Sequence, residues 1–162
     1  MKNFEELVAS FTPFVMSVCL SHMKNREDAE DACQEVFLKI WKTKAVFEDK
    51  SKYTTWLYSI ARNTCLDILK KNTRHIHDEI PDTLPDSGNS PERAVIEKEF
   101  EYTVYSALNS LDTDMKTVLL LREKAGMSYS GIAELLGVPE GTVKSRISRA
   151  RETLLKKLEV KI

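Results

Sequence analysis

Apolar residues recur at intervals of three and four along almost the whole chain, and nowhere does strict apolar–polar alternation persist long enough to suggest a sheet. That period restricts the fold to helices packed on helices, so the expected class is all-α. Thr12-Pro13 reads as a cap followed by a proline in a first turn, dividing a short helix over about 3–11 from a second over about 13–23. Further helices are expected over about 26–44, 53–72, 91–109, 112–125, 128–136 and 139–159. Between the fourth and the fifth the composition changes. Residues 73–92, TRHIHDEIPDTLPDSGNSPE, hold three prolines and a glycine among several acids. Such a stretch is a linker rather than a packed element. The chain is therefore expected to form two small helical domains, 1–72 and 96–162, joined by a flexible acidic linker over 73–95.

With 162 residues, 42% hydrophobic and 30% charged, this is a soluble globular composition. The net charge of −1 gives no whole-molecule argument for a nucleic-acid partner, but its distribution does. Residues 1–72 carry +1, 73–95 carry −3, 96–137 carry −3 and 138–162 carry +4. The N-terminus, MKNFEELVASF, is acidic and lacks the apolar core of a signal peptide. The longest aliphatic run, Val118 to Leu121, is too short to cross a bilayer, so no membrane insertion is expected. Cys19, Cys33 and Cys65 are odd in number and widely spaced, which fits small core residues in a reducing cytoplasm. His75 and His77 fall in the linker without further ligands at a useful spacing, so neither a metal nor a cofactor is expected. No glycine-rich phosphate loop follows a strand and no nucleophile–base set is present, so the chain does not read as an enzyme.

The C-terminal charge is local and oriented. In SYSGIAELLGVPEGTVKSRISRAR, Ser128 can cap a helix bearing Ile132, Leu135 and Leu136. Gly137 can take the left-handed conformation that ends it. Pro139 fits the first turn of the next helix, where its missing N–H has no partner, and Glu140 suits that helix's positive end. The result is a tight corner between two helices, the helix-turn-helix pattern. On the second helix, at 100° per residue, Ile147, Ala150 and Leu154 lie within about 40° of Val143 and form a buried stripe. The opposite face carries Gly141, Thr142, Lys144, Ser145, Ser148 and Arg149, with Arg146 and Arg151 on its flanks. Small side chains permit close approach to a major groove, and Lys and Arg reach guanine edges or phosphates.

Two more surfaces stand out. In DAEDACQEVFLKIW, Ala29, Cys33, Val36 and Ile40 share a core face. Opposite lie Asp31, Gln34, Glu35 and Lys42, with Leu38 among them, an apolar anchor inside a polar rim. In YTTWLYSIARNTCLDILKK, one stripe joins Leu57, Ala61, Cys65 and Ile68, with Tyr58 and Leu69 beside it. The other aligns Tyr53, Trp56, Ile60, Asn63, Asp67 and Lys70. Aromatic rings can stack on bases and an Asn can bond a base edge, although aromatics at this spacing also build cores.

In this order and spacing, DAEDACQEVFLKIW, TTWLYSIARNTCLDIL and SYSGIAELLGVPEGTVKSRISRARETL resemble the extracytoplasmic-function sigma factors of bacteria, which retain only regions 2 and 4. The resemblance covers nearly the whole chain. It implies a subunit that binds core RNA polymerase, at its clamp helices and flap, and directs it to promoter DNA. Asp31, Gln34, Glu35, Leu38 and Lys42 would contact the clamp helices. The segment Phe47 to Lys52 and the helix after it would read the −10 element as a single strand, with Asn63 at a flipped base and Tyr53, Trp56, Arg62 and Asp67 around it. Thr142, Lys144, Ser145, Arg146, Ser148 and Arg149 would read the −35 element as duplex. The linker would thread through polymerase channels or serve as a passive tether. Members of the family are commonly held by an anti-sigma factor, so one is an implied partner. Two departures from the family pattern bear on the helix-turn-helix. Ser130 and Gly131 stand where acids are common, and Gly131 costs its helix about 1 kcal/mol relative to Ala; Ser148 is small where some members carry an aromatic. EGTVKSRISR also resembles the helix-turn-helix of response regulators, so the competing expectation is a stand-alone regulator that binds duplex DNA as a dimer. Against it, the N-terminal block has helices and TTWLYSIARN where a regulator would have a receiver domain.

Overall fold

In a computed structural model that describes residues 3–43, 50–75 and 91–159, the chain forms α1 (Phe4–His22), α2 (Arg26–Thr43), α3 (Lys50–His75), α4 (Pro91–Asn109), α5 (Thr113–Glu123), α6 (Tyr129–Leu136) and α7 (Glu140–Glu159). Among the described residues there is no strand. The all-α expectation therefore holds.

Short polar side chains begin several helices by satisfying amide groups that have no partner inside the helix. Asn3 Oδ1 accepts from Glu6 N, Asn25 Oδ1 from Asp28 N, and Asp112 Oδ1 from Met115 N, each at 2.8 Å. Ser128 Oγ accepts from Gly131 N at 3.0 Å, the cap expected from the sequence. Gly137 ends α6 at φ +67°, and its amide donates to the Ala133 carbonyl. Space as well as conformation matters at Gly131, where an added Cβ would stand 3.0 Å from the Ser128 hydroxyl. The glycine that weakens α6 by propensity thus leaves room for the cap that starts it.

One expectation is corrected at Pro13. Residues 4–22 form a single helix with Pro13 inside it, not two helices parted at Thr12. A proline inside a helix deprives the carbonyl four residues earlier of its donor. Here that carbonyl belongs to Ala9, on the exposed side of α1, where water can serve it. Burial of every residue from Phe14 to Ser21 holds the following turns in line. The helix also runs further than expected at the end of α3, where the Thr73 hydroxyl sits 2.8 Å from the Lys70 carbonyl. So 73–75, assigned from sequence to the linker, are helical; 91–95 are helical too, as the helix expected over about 91–109 requires although the linker limits included them, and 76–90 lie outside the described residues.

One core links all the elements except α4, whose contribution is peripheral. α1 supplies Phe14, Val15, Val18, Cys19 and Leu20; α2 supplies Ala29, Ala32, Cys33, Val36, Phe37 and Ile40; α3 supplies Leu57, Ala61 and Cys65. On α2 and α3 these include the stripes expected from periodicity, widened on α2 by Ala32 and Phe37, and all three cysteines are free and buried. Ile68, Leu69 and Tyr58 pack on the margin. On the far side of α1, Val118 to Leu121 of α5 continue the core toward Ile132 of α6 and Val143, Ile147 and Ala150 of α7. α1 is apolar enough to cross a membrane by length and composition, but its residues from Phe14 to Ser21 are spent on α2, α3 and α5, as in a core helix.

Candidate nucleic-acid and polymerase interfaces

The α6–α7 corner presents the C-terminal face. Val143, Ile147 and Ala150 are buried, and Leu154 is half-buried, so the opposite side of α7 is fixed outward. Lys144, Ser145, Ser148 and Arg149 are exposed there, while Thr142 and Arg146 are half-buried at its edges. Lys144 is held by Glu140 at 3.4 Å and reaches to 5.9 Å from the Tyr129 ring. Arg149 enters no ion pair among the described residues. Ser145 Oγ donates to the Thr142 carbonyl at 3.1 Å. Arg151 does a different job. Its guanidinium pairs with Glu123 at the end of α5 and is held above its usual range by that contact. Nearby, Arg122 donates to the Met127 carbonyl at 2.9 Å and stacks 4.6 Å over Tyr129. These contacts fix the angle of α7 against α5 and α6.

On α3 the aligned stripe divides. Tyr53 and Trp56 are half-buried, with ring centroids 5.6 Å apart, and Tyr53 packs edge-on against Phe11 of α1 at 5.1 Å. Asn63 and Asp67 are exposed. At 1.5 Å per residue Asn63 lies about 10 Å along the axis from Trp56, on the same side. The stripe thus has an aromatic floor at one end and free amide and carboxylate groups at the other. Arg62 is not part of it. It falls about 100° around the helix from Asn63, and its charge acts on His22 and Tyr58, on the side turned to α1 and α5. The part of the segment preceding this helix that was expected to read bases, Phe47 to Asp49, lies outside the described residues.

On α2, Asp31, Gln34, Leu38 and Lys42 are exposed together, and Leu38 is 58% accessible. Glu35 is half-buried and 3.9 Å from Lys39, whose ammonium donates to Thr64 of α3 at 3.1 Å. Sequence reasoning missed Trp41. It is 58% accessible and stands against the Phe4 ring at 4.8 Å. With Phe4, Val8, Gln34, Phe37 and Leu38 it lines a shallow apolar pocket of about 530 Å³. The spacing of Gln34, Leu38 and Trp41, one helical face at four and three residues, carried that signal.

Two family models match the chain: Sigma-70 region 2 over residues 7–75 and Sigma-70, region 4 over residues 103–154. The RNA polymerase sigma-H factor of Pseudomonas aeruginosa is 35% identical, with 98% of this chain and 87% of the relative aligned. The chain belongs to the extracytoplasmic-function sigma factors of the sigma-70 family. The ECF RNA polymerase sigma-E factor of Haemophilus influenzae is 34% identical over 98% of this chain and 88% of its own length. The ECF sigma factor SigW of Bacillus subtilis is 32% identical over 96% and 88%. Among solved structures, the sigma factor RpoE of Bartonella quintana, in complex with the anti-sigma factor NepR, aligns with a TM-score of 0.67 at 28% identity over 99% of both chains. CnrH, in complex with the cytosolic domain of CnrY, aligns with a TM-score of 0.63 at 25% identity over 97% of this chain and 88% of the other. In these terms α2 and α3 belong to region 2, and the α6–α7 corner belongs to region 4.

Proposed function

We propose that this sigma factor binds core RNA polymerase through the exposed face of α2, reads a −35 element as duplex with α7, and holds the opened −10 strand on α3. Asp31, Gln34, Glu35, Leu38 and Lys42 form the polymerase surface, to which Trp41 is added. Leu38 and Trp41 supply the apolar anchor, and the charged residues supply its rim. Thr142, Lys144, Ser145, Arg146, Ser148 and Arg149 form the duplex reader, in which Lys144 exchanges Glu140 for DNA. Tyr53, Trp56, Asn63 and Asp67 form the single-strand reader; Arg62 stands apart from them and is the weaker candidate.

The observation that carries this reading is that region 2 and region 4 segments, in that order, each turn a chemically distinct face outward. The reaction is one of binding alone. A base that leaves the duplex loses stacking and must regain it on protein, so strand opening is driven by the difference in affinity for paired and unpaired DNA. The work is done in the cytoplasm, where core polymerase and chromosome are. Two solved relatives were captured with partner proteins, one of them an anti-sigma factor, so we assign this chain an anti-sigma partner as well. The domain limits 1–72 and 96–162 frame the two halves; of the tether between them, 73–75 and 91–95 continue α3 and α4.

Run-off transcription with purified core polymerase tests the proposal. Addition of this protein should yield discrete transcripts whose starts share −35 and −10 sequences. No transcripts, together with dimeric binding to a palindrome, would identify a stand-alone regulator instead.

A further inference from the structure

Lys39 lies on neither of the faces assigned above to α2. At 100° per residue it falls about 80° from the middle of the buried stripe and about as far from the middle of the exposed face that carries Asp31, Gln34, Leu38 and Lys42. It is half-buried there, and its ammonium reaches across to α3. The Nζ donates to the Thr64 hydroxyl at 3.1 Å and stands 3.9 Å from the Glu35 carboxylate. Thr64 is 1% accessible, so water cannot take the place of Lys39 on that hydroxyl. An ammonium carries three donors, so one can be spent on α3 while the others stay with Glu35 and solvent.

The value of a polar bond at this place follows from how the two helices pack. Both bury aliphatic and small side chains in the shared core: Ala32, Val36 and Ile40 from α2, and Leu57, Ala61 and Cys65 from α3. Apolar packing fixes orientation only loosely, and crossing angles scatter by about 15–20° within one packing class. That latitude matters for Asn63. It precedes Thr64 directly, about 100° around the same turn, and its amide lies about 6 Å from the helix axis. A rotation of α3 by about 20° would carry that amide about 2 Å, well beyond the roughly 0.5 Å within which a binding group has to be held. A hydrogen bond, unlike an apolar contact, does not survive a shift of that size. The bond at Thr64 therefore sets the rotation of α3 with the precision that the neighbouring amide needs.

We propose that Lys39 is a positioning residue for strand capture: through Thr64 it fixes the rotation of α3 on α2 and so aims the Asn63 amide at the base that leaves the duplex. This rests on the reading of α2 as the polymerase face and α3 as the single-strand reader. In this role Lys39 itself contacts neither polymerase nor DNA.

Lys39→Met and Thr64→Val separate the role from folding. Methionine matches lysine in helix propensity, and valine keeps the branched shape of threonine. Glu35 loses a partner in Lys39→Met, but the two side chains are 44% and 42% accessible, and an ion pair so exposed contributes little. Each variant should keep the parent's helicity, melting midpoint and affinity for core polymerase. On a promoter bound with core polymerase, each should cut permanganate reactivity of −10 thymines about tenfold. Lys39→Arg, which keeps a donor on a long stem, should restore most of that reactivity. The decisive arm is the Asn63→Ala background. There neither change should lower reactivity further, because no amide is left to aim and coupled sites do not add. Parental reactivity in both variants, a second full loss on the Asn63→Ala background, or a matching loss of affinity for core polymerase would overturn the positioning role and leave the sigma reading intact. If Asn63→Ala itself opens the promoter as the parent does, the single-strand assignment falls and this inference falls with it.

Discussion

Asn63 and Gly137 show how single residues set the account. Asn63 is exposed on the same side of α3 as the half-buried Tyr53–Trp56 pair, about 10 Å along the axis from Trp56, so its amide can meet a base edge without first breaking a contact of the core. Gly137 turns the chain between α6 and α7 at φ +67°, with nothing within 4 Å of where a Cβ would sit. The expected cost of Gly137→Ala is therefore backbone strain alone, about 1 kcal/mol, read as a lower midpoint in denaturant with an unchanged slope. The turn residues were legible in the sequence because their chemistry is local: a left-handed glycine, a serine cap and a proline each act within four residues. For Trp41 the spacing with Gln34 and Leu38 gave the face but not the exposure, because whether an aromatic is covered depends on neighbours supplied by other helices, here Phe4 of α1.

At the scale of elements, periodicity located the direction of the buried faces of α2, α3 and α7, although Ala32 and Phe37 widen the α2 stripe and Ile68 and Leu154 are only half-buried. It failed at Pro13, where the local rule says break and the tertiary environment says continue: Phe14 to Ser21 are so thoroughly packed that one missing hydrogen bond on the exposed side does not divide the helix. Arg62 entered the −10 set from the family resemblance and not from the α3 stripe, and it points about 100° from Asn63. The α2 face gives the clearest test at this scale. Leu38→Asp introduces a charge into the apolar pocket shared with Trp41 and Phe4. It should lower affinity for core polymerase at least tenfold in a fluorescence titration, because a desolvated apolar anchor is replaced by a group that resists desolvation. As Leu38 is exposed in the free protein, the melting temperature should stay the same; unchanged affinity would place the polymerase surface elsewhere.

Across the whole molecule, the association of the two halves was the least legible feature. Ser17 with Leu120 and Lys116 with Met23 join residues about a hundred positions apart, and no spacing rule reports such pairs. His22 sits where the two halves meet. Burial holds its imidazole below the ordinary 6.5, and Arg62 and Lys116 add repulsion against a second positive charge, while the bond to the Val18 carbonyl opposes them. The unfolded chain takes up this proton at the ordinary value and the folded chain resists it. Its contribution to stability is therefore complete above pH 6.5 and declines as pH falls through 6.5 toward the lowered folded value. Thermal unfolding followed from pH 7.5 to pH 5.5 should show a falling midpoint, and His22→Leu should flatten that dependence.

The central claim is that paired and unpaired DNA are held by different halves, and footprinting of reconstituted polymerase on one promoter tests it most directly. With Lys144→Ala and Arg149→Ala combined, protection of the −35 duplex should be lost while binding to core polymerase is kept. With Asn63→Ala, −35 protection should persist while permanganate reactivity of −10 thymines falls. If both variants lose the same signal to the same degree, the division between α7 and α3 is wrong.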